Sequence, residues 1–407
     1  MTWMQRAIIL VAALSPTYLI RFKFFGVPST VFELCIFGLC LATAVAALDK
    51  KTCAEYLDKI SAILKSLAIG SVLFFVAGCV SVIVAPNMYA AVGIWRAYIL
   101  EAMLFGFIAW LNIKSFVEFR ALALALSVMA AIAGGYAIVQ KFTGWGIPNP
   151  FWRAEATRRV TSFFGYPNGI ALYIELVIPF LVAGFLLTKK VSLRVWYAIV
   201  TIISLLAIMF AQSSGAFAAL AVTVGIFLLA WKKSRWWAVG FGAICIASIL
   251  LTPLRKPFAD EFLLQGFSGR LRTQMWKETV VMLKPRWIEG AGLAGYQARV
   301  APYHVFKWAE IYLYPHNLVL TLWSELGMLG LISFSYIFVL VCYWMIKAVR
   351  LGSSESRIWS GVLLAILGII AVHGLVDIPY FRNDLAALFW LCVALALQIR
   401  YTSISTK

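Results

Sequence analysis

RVWYAIVTIISLLAIMFAQSSGAFAALAVTVGIFLLAWKK, residues 194–233, decides the fold. Between Arg194 and Lys232 there is no Asp, Glu, Lys, Arg or His. The polar step Gln212-Ser213-Ser214 divides the run into two blocks, 194–211 and 214–231, each long enough for a helix to cross a bilayer. Cations stand at both outer ends, Lys189, Lys190 and Arg194 before the first block and Lys232, Lys233 and Arg235 after the second. The chain therefore leaves the cytoplasm, turns outside and returns. A backbone in hydrocarbon has to satisfy its own polar groups, so both crossings are helices.

The rest of the chain repeats that pattern. Its 407 residues are 63% hydrophobic and 13% charged, with a mean hydropathy of +0.91. A soluble domain carries about a quarter charged residues, which excludes a soluble globular enzyme. Strand-like alternation over ten-residue segments is absent, which excludes an outer-membrane barrel. The reading is all-α: one integral membrane domain over residues 1–407, a polytopic bundle of about twelve transmembrane helices. The spans fall near 4–20, 27–48, 66–85, 88–111, 117–139, 168–188, 194–211, 214–231, 236–252, 316–345, 358–376 and 384–400. The first runs from Ala7 past Pro16 to Ile20 without an A-x-A cleavage site and is expected to remain as a span.

Topology follows from the connectors. With the N-terminus inside, eighteen Lys and Arg fall on the cytoplasmic side, while the short exterior loops hold Arg21, Lys23 and Arg382. The net charge of +18 would suggest nucleic acid in a soluble protein, but here it belongs to membrane topology, and no nucleic-acid partner is expected. None of the seven cysteines lies in an exterior loop, so neither a disulfide framework nor a cysteine zinc site is expected.

Two exterior segments break the charge rule: a first loop, 141–167, and a large one, 253–315, which together hold thirteen basic residues. Cations placed against the usual bias suit an anionic ligand such as phosphate, and they would also rest on acidic lipid headgroups. In the large loop, Ser268 and Gly269 begin an amphipathic helix with Leu271, Met275, Trp276, Met282 and Leu283 on its apolar spacing. Arg270, Lys277 and Lys284 fall seven apart, a basic stripe at headgroup level. Gly290, Gly292 and Gly295 follow as a glycine-rich turn. No strand precedes it, so it is weak as a nucleotide motif.

Where the large loop re-enters the membrane stands Tyr314-Pro315-His316-Asn317. Proline suits a first helical turn, which puts His316 at the positive end of the helix dipole and favours a neutral imidazole able to accept a proton. His316 is thus a candidate general base, with capping of the helix or binding of interfacial water as the alternative. Tyr166-Pro167-Asn168 opens another span in the same way, just after Arg158 and Arg159. Arg96 and Glu101, and Glu175 and Glu325, are expected to pair within the bundle. His373 and Asp377, one turn apart, are placed for an orienting hydrogen bond. No D-x-D lies on the exterior face, so no metal site is expected.

The ordered run Gly269, Arg270, Trp276, Pro285, Gly290, Gly292, Pro315, His316, Asn317, Leu320, Glu325, Gly327 and Gly330 resembles the signature domain of the O-antigen ligase and O-antigen polymerase superfamily. Arg159, Thr161, Phe164, Pro167 and Asn168 are similar to the segment that precedes it there. So is Gln212-Ser213-Ser214-Gly215-Ala216, except that the family often has Arg where this chain has Ser214. The resemblance implies a C-type glycosyltransferase bundle in the bacterial cytoplasmic membrane, with its active site on the extracytoplasmic face. It implies transfer of a glycan from undecaprenyl pyrophosphate to the hydroxyl of a lipid, protein or glycan acceptor, with inversion and with neither metal nor cofactor. On this basis His316 and Arg270 are the expected catalytic residues. Arg159, Arg270, Arg158 and Arg153 are expected on the pyrophosphate, supported by Asn317, Trp276 and Lys277. A membrane transporter of a polar solute or lipid-linked sugar is the alternative.

Overall fold

The computed structural model describes residues 1–64, 67–230, 235–237, 239–240, 242–243 and 264–405; among them the chain is a helical bundle with one small hairpin. Seven helices are long and apolar enough to cross a membrane: Met88–Asn112, Phe116–Thr143, Pro167–Leu187, Val191–Ala211, Leu318–Leu351, Ser354–His373 and Asn383–Thr402. Val31–Ala46 runs into Lys50–Ser61 through a bend of 114°, and Trp3–Ala13, Ala68–Val84 and Ser214–Ala230 are shorter apolar helices. A helix stands at each expected span except 236–252, most of which lies outside the described residues. Of the twelve expected crossings, seven stand at full length among the described residues, or eight with the bent pair, three coincide with the shorter apolar helices, and 236–252 lies mostly outside the described residues.

Local chemistry sets the boundaries. Ser115 and Glu118 form a capping box that starts Phe116–Thr143, and Gly144, at φ 69°, ends it. The second span starts later than expected. Arg21–Phe24 and Val27–Thr30 pair antiparallel around a turn in which Phe25 and Gly26 both have positive φ, and only then does Thr30 cap the helix with Glu33. On the opposite end of the bundle, buried Lys59 donates to the carbonyls of Trp110, Leu111 and Ile113 at 2.8, 3.2 and 3.0 Å. Those are the orphan acceptors at the end of Met88–Asn112.

Two helices form the centre. Asn383–Thr402 and Pro167–Leu187 are 83% and 78% buried, against 28% for peripheral Val191–Ala211. Gly106 lets Met88–Asn112 lie directly on the central helix, since a Cβ there would stand 2.7 Å from the Trp390 carbonyl oxygen. Phe74, Phe334, Tyr380, Phe389 and Trp390 form an aromatic cluster beside it.

One break positions the site. Leu318–Leu351 is interrupted at Gly327, whose φ of 67° and ψ of −174° suit glycine. The glycine-rich turn plugs into the gap. Met328 N donates to Ile288 O at 2.8 Å, and Ala291 N donates to Ser324 O at 2.6 Å. A Cβ on Gly292 would stand 2.7 Å from Ala85 Cα, so the turn also presses against the end of Ala68–Val84. These glycines are a backbone-to-backbone joint that fixes the large loop over the bundle.

Candidate functional site

The large loop contributes the helix Phe267–Leu283, whose Trp276 Nε1 donates to the Pro315 carbonyl at 2.9 Å. That bond holds Pro315-His316 in place. The helix starts later than Pro315 suggests: its first residue is Leu318 and its N-cap is Asn317, whose Oδ1 accepts from Leu320 N at 3.0 Å. His316 therefore stands outside the helix, at φ 48°, in the left-handed region that non-glycine residues seldom occupy. Asn317 Nδ2 donates to Leu375 O at 2.9 Å, and Leu318 N to Gly374 O at 2.6 Å, which joins the motif to the turn after Ser354–His373.

That turn carries Asp377. His316 Nδ1 donates to Asp377 Oδ1 at 3.1 Å, and Ile378 N donates to the same oxygen at 2.9 Å. The other oxygen accepts from Asn168 Nδ2 at 2.7 Å. Asn168 Oδ1 in turn accepts from Arg159 Nη2 at 3.4 Å, while Arg159 Nε donates to Ala211 O at 2.9 Å. The chain Arg159–Asn168–Asp377–His316 thus links the segment 141–167 to the large loop. Burial alone would raise the Asp377 carboxyl, but the His316 imidazole beside it, with lesser help from His373 and Arg272, holds it well below the usual carboxylate range. Asp377 stays ionised and fixes the proton on His316 Nδ1. The His316 side chain is 28% exposed, and Nε2 has no hydrogen-bond partner among the described residues. A histidine oriented by a buried carboxylate through one nitrogen and open at the other has the geometry of a general base. Tyr312 packs edge-on against the ring at 5.3 Å.

The other expected residues lie in different settings. Arg270 is exposed, as are Lys277 and Lys284, on the outward face of the loop helix. Arg272 lies two residues on, a rotation of roughly 200°. It shares a face with Trp276, its Nη1 donates to Ser268 Oγ at 3.0 Å, and its charge acts on Asp377. Arg272 is thus the loop-helix cation whose charge reaches Asp377, on the face opposite the basic stripe. Arg153 donates to Ile147 O, and Arg158 to the carbonyls of Arg153, Lys141 and Phe142, so both build their own loop. Among the described residues Lys277 makes no hydrogen bond or ion pair with His316 or Asp377, whereas Trp276 and Asn317 fix the backbone on either side of the histidine.

The expected His373–Asp377 side-chain bond is replaced by two others. His373 Nδ1 binds Glu175 Oε1 at 2.7 Å deep in the bundle, and Asp377 serves His316. Arg96 pairs with Glu101 at 3.3 Å, as expected, and with Glu33 at 2.8 Å. Glu325 accepts from Ala294 N at 2.7 Å, steadying the glycine turn. Arg382 is buried, paired through both nitrogens with Asp384 and donating to Gly169 O at 2.9 Å and Tyr166 Oη at 3.1 Å. It anchors the segment that presents Asn168. Arg255, Lys256, Asp260 and Glu261 lie outside the described residues.

The family model described as O-antigen ligase matches residues 198–335, about a third of the chain. The match holds Arg272, Trp276 and His316; Arg159, Asn168 and Asp377 lie beyond it. It supports the O-antigen ligase and polymerase superfamily that the sequence resembles, and with the apolar helices it supports a multi-pass membrane enzyme of the ligase or polymerase type. No curated protein matches the chain.

Proposed function

We propose that this protein, with an O-antigen ligase domain at its heart, is a membrane glycosyltransferase. It moves a glycan from undecaprenyl pyrophosphate to an acceptor hydroxyl at the extracytoplasmic face of the bacterial cytoplasmic membrane. The observation that carries this reading is His316, oriented by Asp377 and open at Nε2, between Arg272 on one loop and Arg159 on the other. His316 Nε2 takes the acceptor proton as that oxygen attacks the anomeric carbon. The bond from this carbon to the pyrophosphate oxygen breaks with its electron pair, and the lipid diphosphate leaves. A single displacement inverts the anomeric centre.

The donor is already activated, so the protein chiefly positions the acceptor and stabilises charge on the leaving group. Arginine suits the second task, being permanently charged and able to grip phosphate through two donors. We assign it to Arg159 and Arg272. Arg272 takes the role expected of Arg270, and Arg270, Lys277 and Lys284 face acidic headgroups, keeping the loop helix on the membrane surface. The bundle is read as C-type, and the pyrophosphate is served by side-chain cations with no metal in the step.

The test supplies purified protein with an undecaprenyl-pyrophosphate glycan and a hydroxyl acceptor. Wild type forms product, and His316→Ala and Arg272→Ala do not. Product at the wild-type rate from both folded variants overturns the assignment. Loss of wild-type activity with a chelator, restored by a divalent ion, overturns the metal-free step.

A further inference from the structure

At the same end of the bundle the structure holds a cavity of about 360 Å³ that the His316 site does not use. It lies between the hairpin Arg21–Thr30 and the first half of Met88–Asn112, with Asn383 at its back. That volume falls within the roughly 300–1,000 Å³ of small-ligand sites. The lining includes aromatic rings from Phe22, Tyr89 and Tyr98, aliphatic side chains such as Val27, Val92 and Ile94, and polar groups from Glu33, Arg96 and Asn383.

We infer that this cavity binds sugar units of a glycan, away from the bond that is made or broken. The first argument is charge. Arg96 is met by Glu33 at 2.8 Å and Glu101 at 3.3 Å, so its charge is engaged within the protein, and Arg21 at the rim is the cavity's other cation. A phosphate would meet one rim arginine there, where the His316 site offers two. The second argument is chemistry. Glu33 also accepts from Asn383 Nδ2 at 3.3 Å, and Arg96 donates to Pro28 O at 2.6 Å, so the polar wall is a fixed network of carboxylate, amide and guanidinium. Groups that donate next to groups that accept suit hydroxyls, which do both. The aromatic faces offer apolar area for the carbon-bound hydrogens of a pyranose ring. Tyr89, at 76% exposed, has much of its surface still to be covered.

The third argument is position. The Tyr98 ring packs edge-on against Phe381 at 6.3 Å, and Phe381 lies 5.5 Å from Tyr314, two residues before His316. Two aromatic rings separate the cavity from the candidate base. A chain of sugars reacting at His316 would have to extend past those rings to reach it, so the cavity selects for glycan length and composition. This rests on the transferase reading and adds a subsite to it.

The experiment measures binding of free oligosaccharides, one to four repeats long, released from the surface polysaccharide of the source cell. Titrations use full-length protein in nanodiscs, comparing wild type with Tyr89→Ala and Arg21→Ala, both at exposed positions, and with His316→Ala. The inference expects wild type and His316→Ala to bind alike and each exposed-site variant to bind about tenfold more weakly. Equal binding by wild type and the cavity variants overturns it. So does a result in which the variants lose bound phosphatidylglycerol and not oligosaccharide, which would make the cavity a headgroup site. Lengthening the glycan on the donor alone, then on the acceptor alone, in transfer assays shows which substrate reaches the cavity, because only that series loses its length preference in Tyr89→Ala. If wild type binds oligosaccharide through Tyr89 yet transfers nothing, the transferase reading fails and the cavity assignment stands.

Discussion

The chain has three histidines, and each meets a carboxylate through Nδ1: His316 with Asp377 at the mouth of the bundle, His373 with Glu175 inside it, and His304 with Glu278 in the large loop. What separates them is the other nitrogen. His316 Nε2 is open. His373 is 1% exposed, and its Nε2 faces Gly215 so closely that a Cβ there would stand 2.6 Å away. His304 Nε2 meets the Ala309 carbonyl at 3.0 Å. Pairing with a carboxylate is common to all three, so it does not mark a base. Access at the second nitrogen does, and only the mouth region provides it.

The strongest test of that distinction is to remove the imidazoles at 316 and 304. A positioned general base contributes about 100-fold to 10,000-fold, so His316→Ala should lose that much turnover while His304→Gln retains most of it. Similar losses in both folded variants would erase the difference. Next comes the arginine pair on the loop helix. Arg272→Ala should cost about 100-fold to 1,000-fold, the range for one lost donor to a developing anion, with Arg270→Ala near wild type. The reverse order would restore the original assignment. Inside the bundle, Gly215→Ala forces a methyl against His373. It should lower thermal stability in detergent by about 1–3 kcal/mol through overpacking, and an unchanged melting temperature would show that the contact yields.

Much of this was legible in the sequence, though unevenly. Apolar blocks placed most of the described spans within a few residues, because lipid leaves the backbone few options. Pro167 does open its helix, and Arg159, Asn168 and His316 do meet in one network. Asp377 was noticed but given to His373, since spacing along one helix reveals neighbours on that helix and says nothing about a turn packed across from it. Arg270 was expected from the resemblance and Arg272 was not singled out, since a seven-residue repeat identifies a common face without saying whether that face looks at protein or at solvent. The hairpin at Arg21–Thr30 was missed, its strands being four residues each, and the cavity beside it with them.

The smallest expected effect lies in the large loop, where His304 acts as a clasp. Its two nitrogens both face acceptors, Glu278 Oε2 at 3.1 Å and Ala309 O at 3.0 Å, and only the doubly protonated ring can donate to both. Burial works against that charge, but the hydrogen bonds to Glu278 and Ala309 outweigh it and raise His304 above its ordinary 6.5. Glu278 moves the other way. Burial would raise it, yet Val305 N–H, Gln274 and His304 hold it below its ordinary 4.5. Stabilisation from His304 is complete below pH 6.5 and lost as pH rises through its raised value. That from Glu278 is present above pH 4.5 and lost as pH falls through its lowered one. The clasp is therefore tightest between those limits and loosens on the alkaline side as the imidazolium gives up its proton. Amide exchange across residues 301–313, corrected for intrinsic rates, should quicken between pH 6 and pH 8.5 in wild type and change little with pH in His304→Gln. Equal pH dependence in the two proteins would mean that the loop is held by something other than this ring.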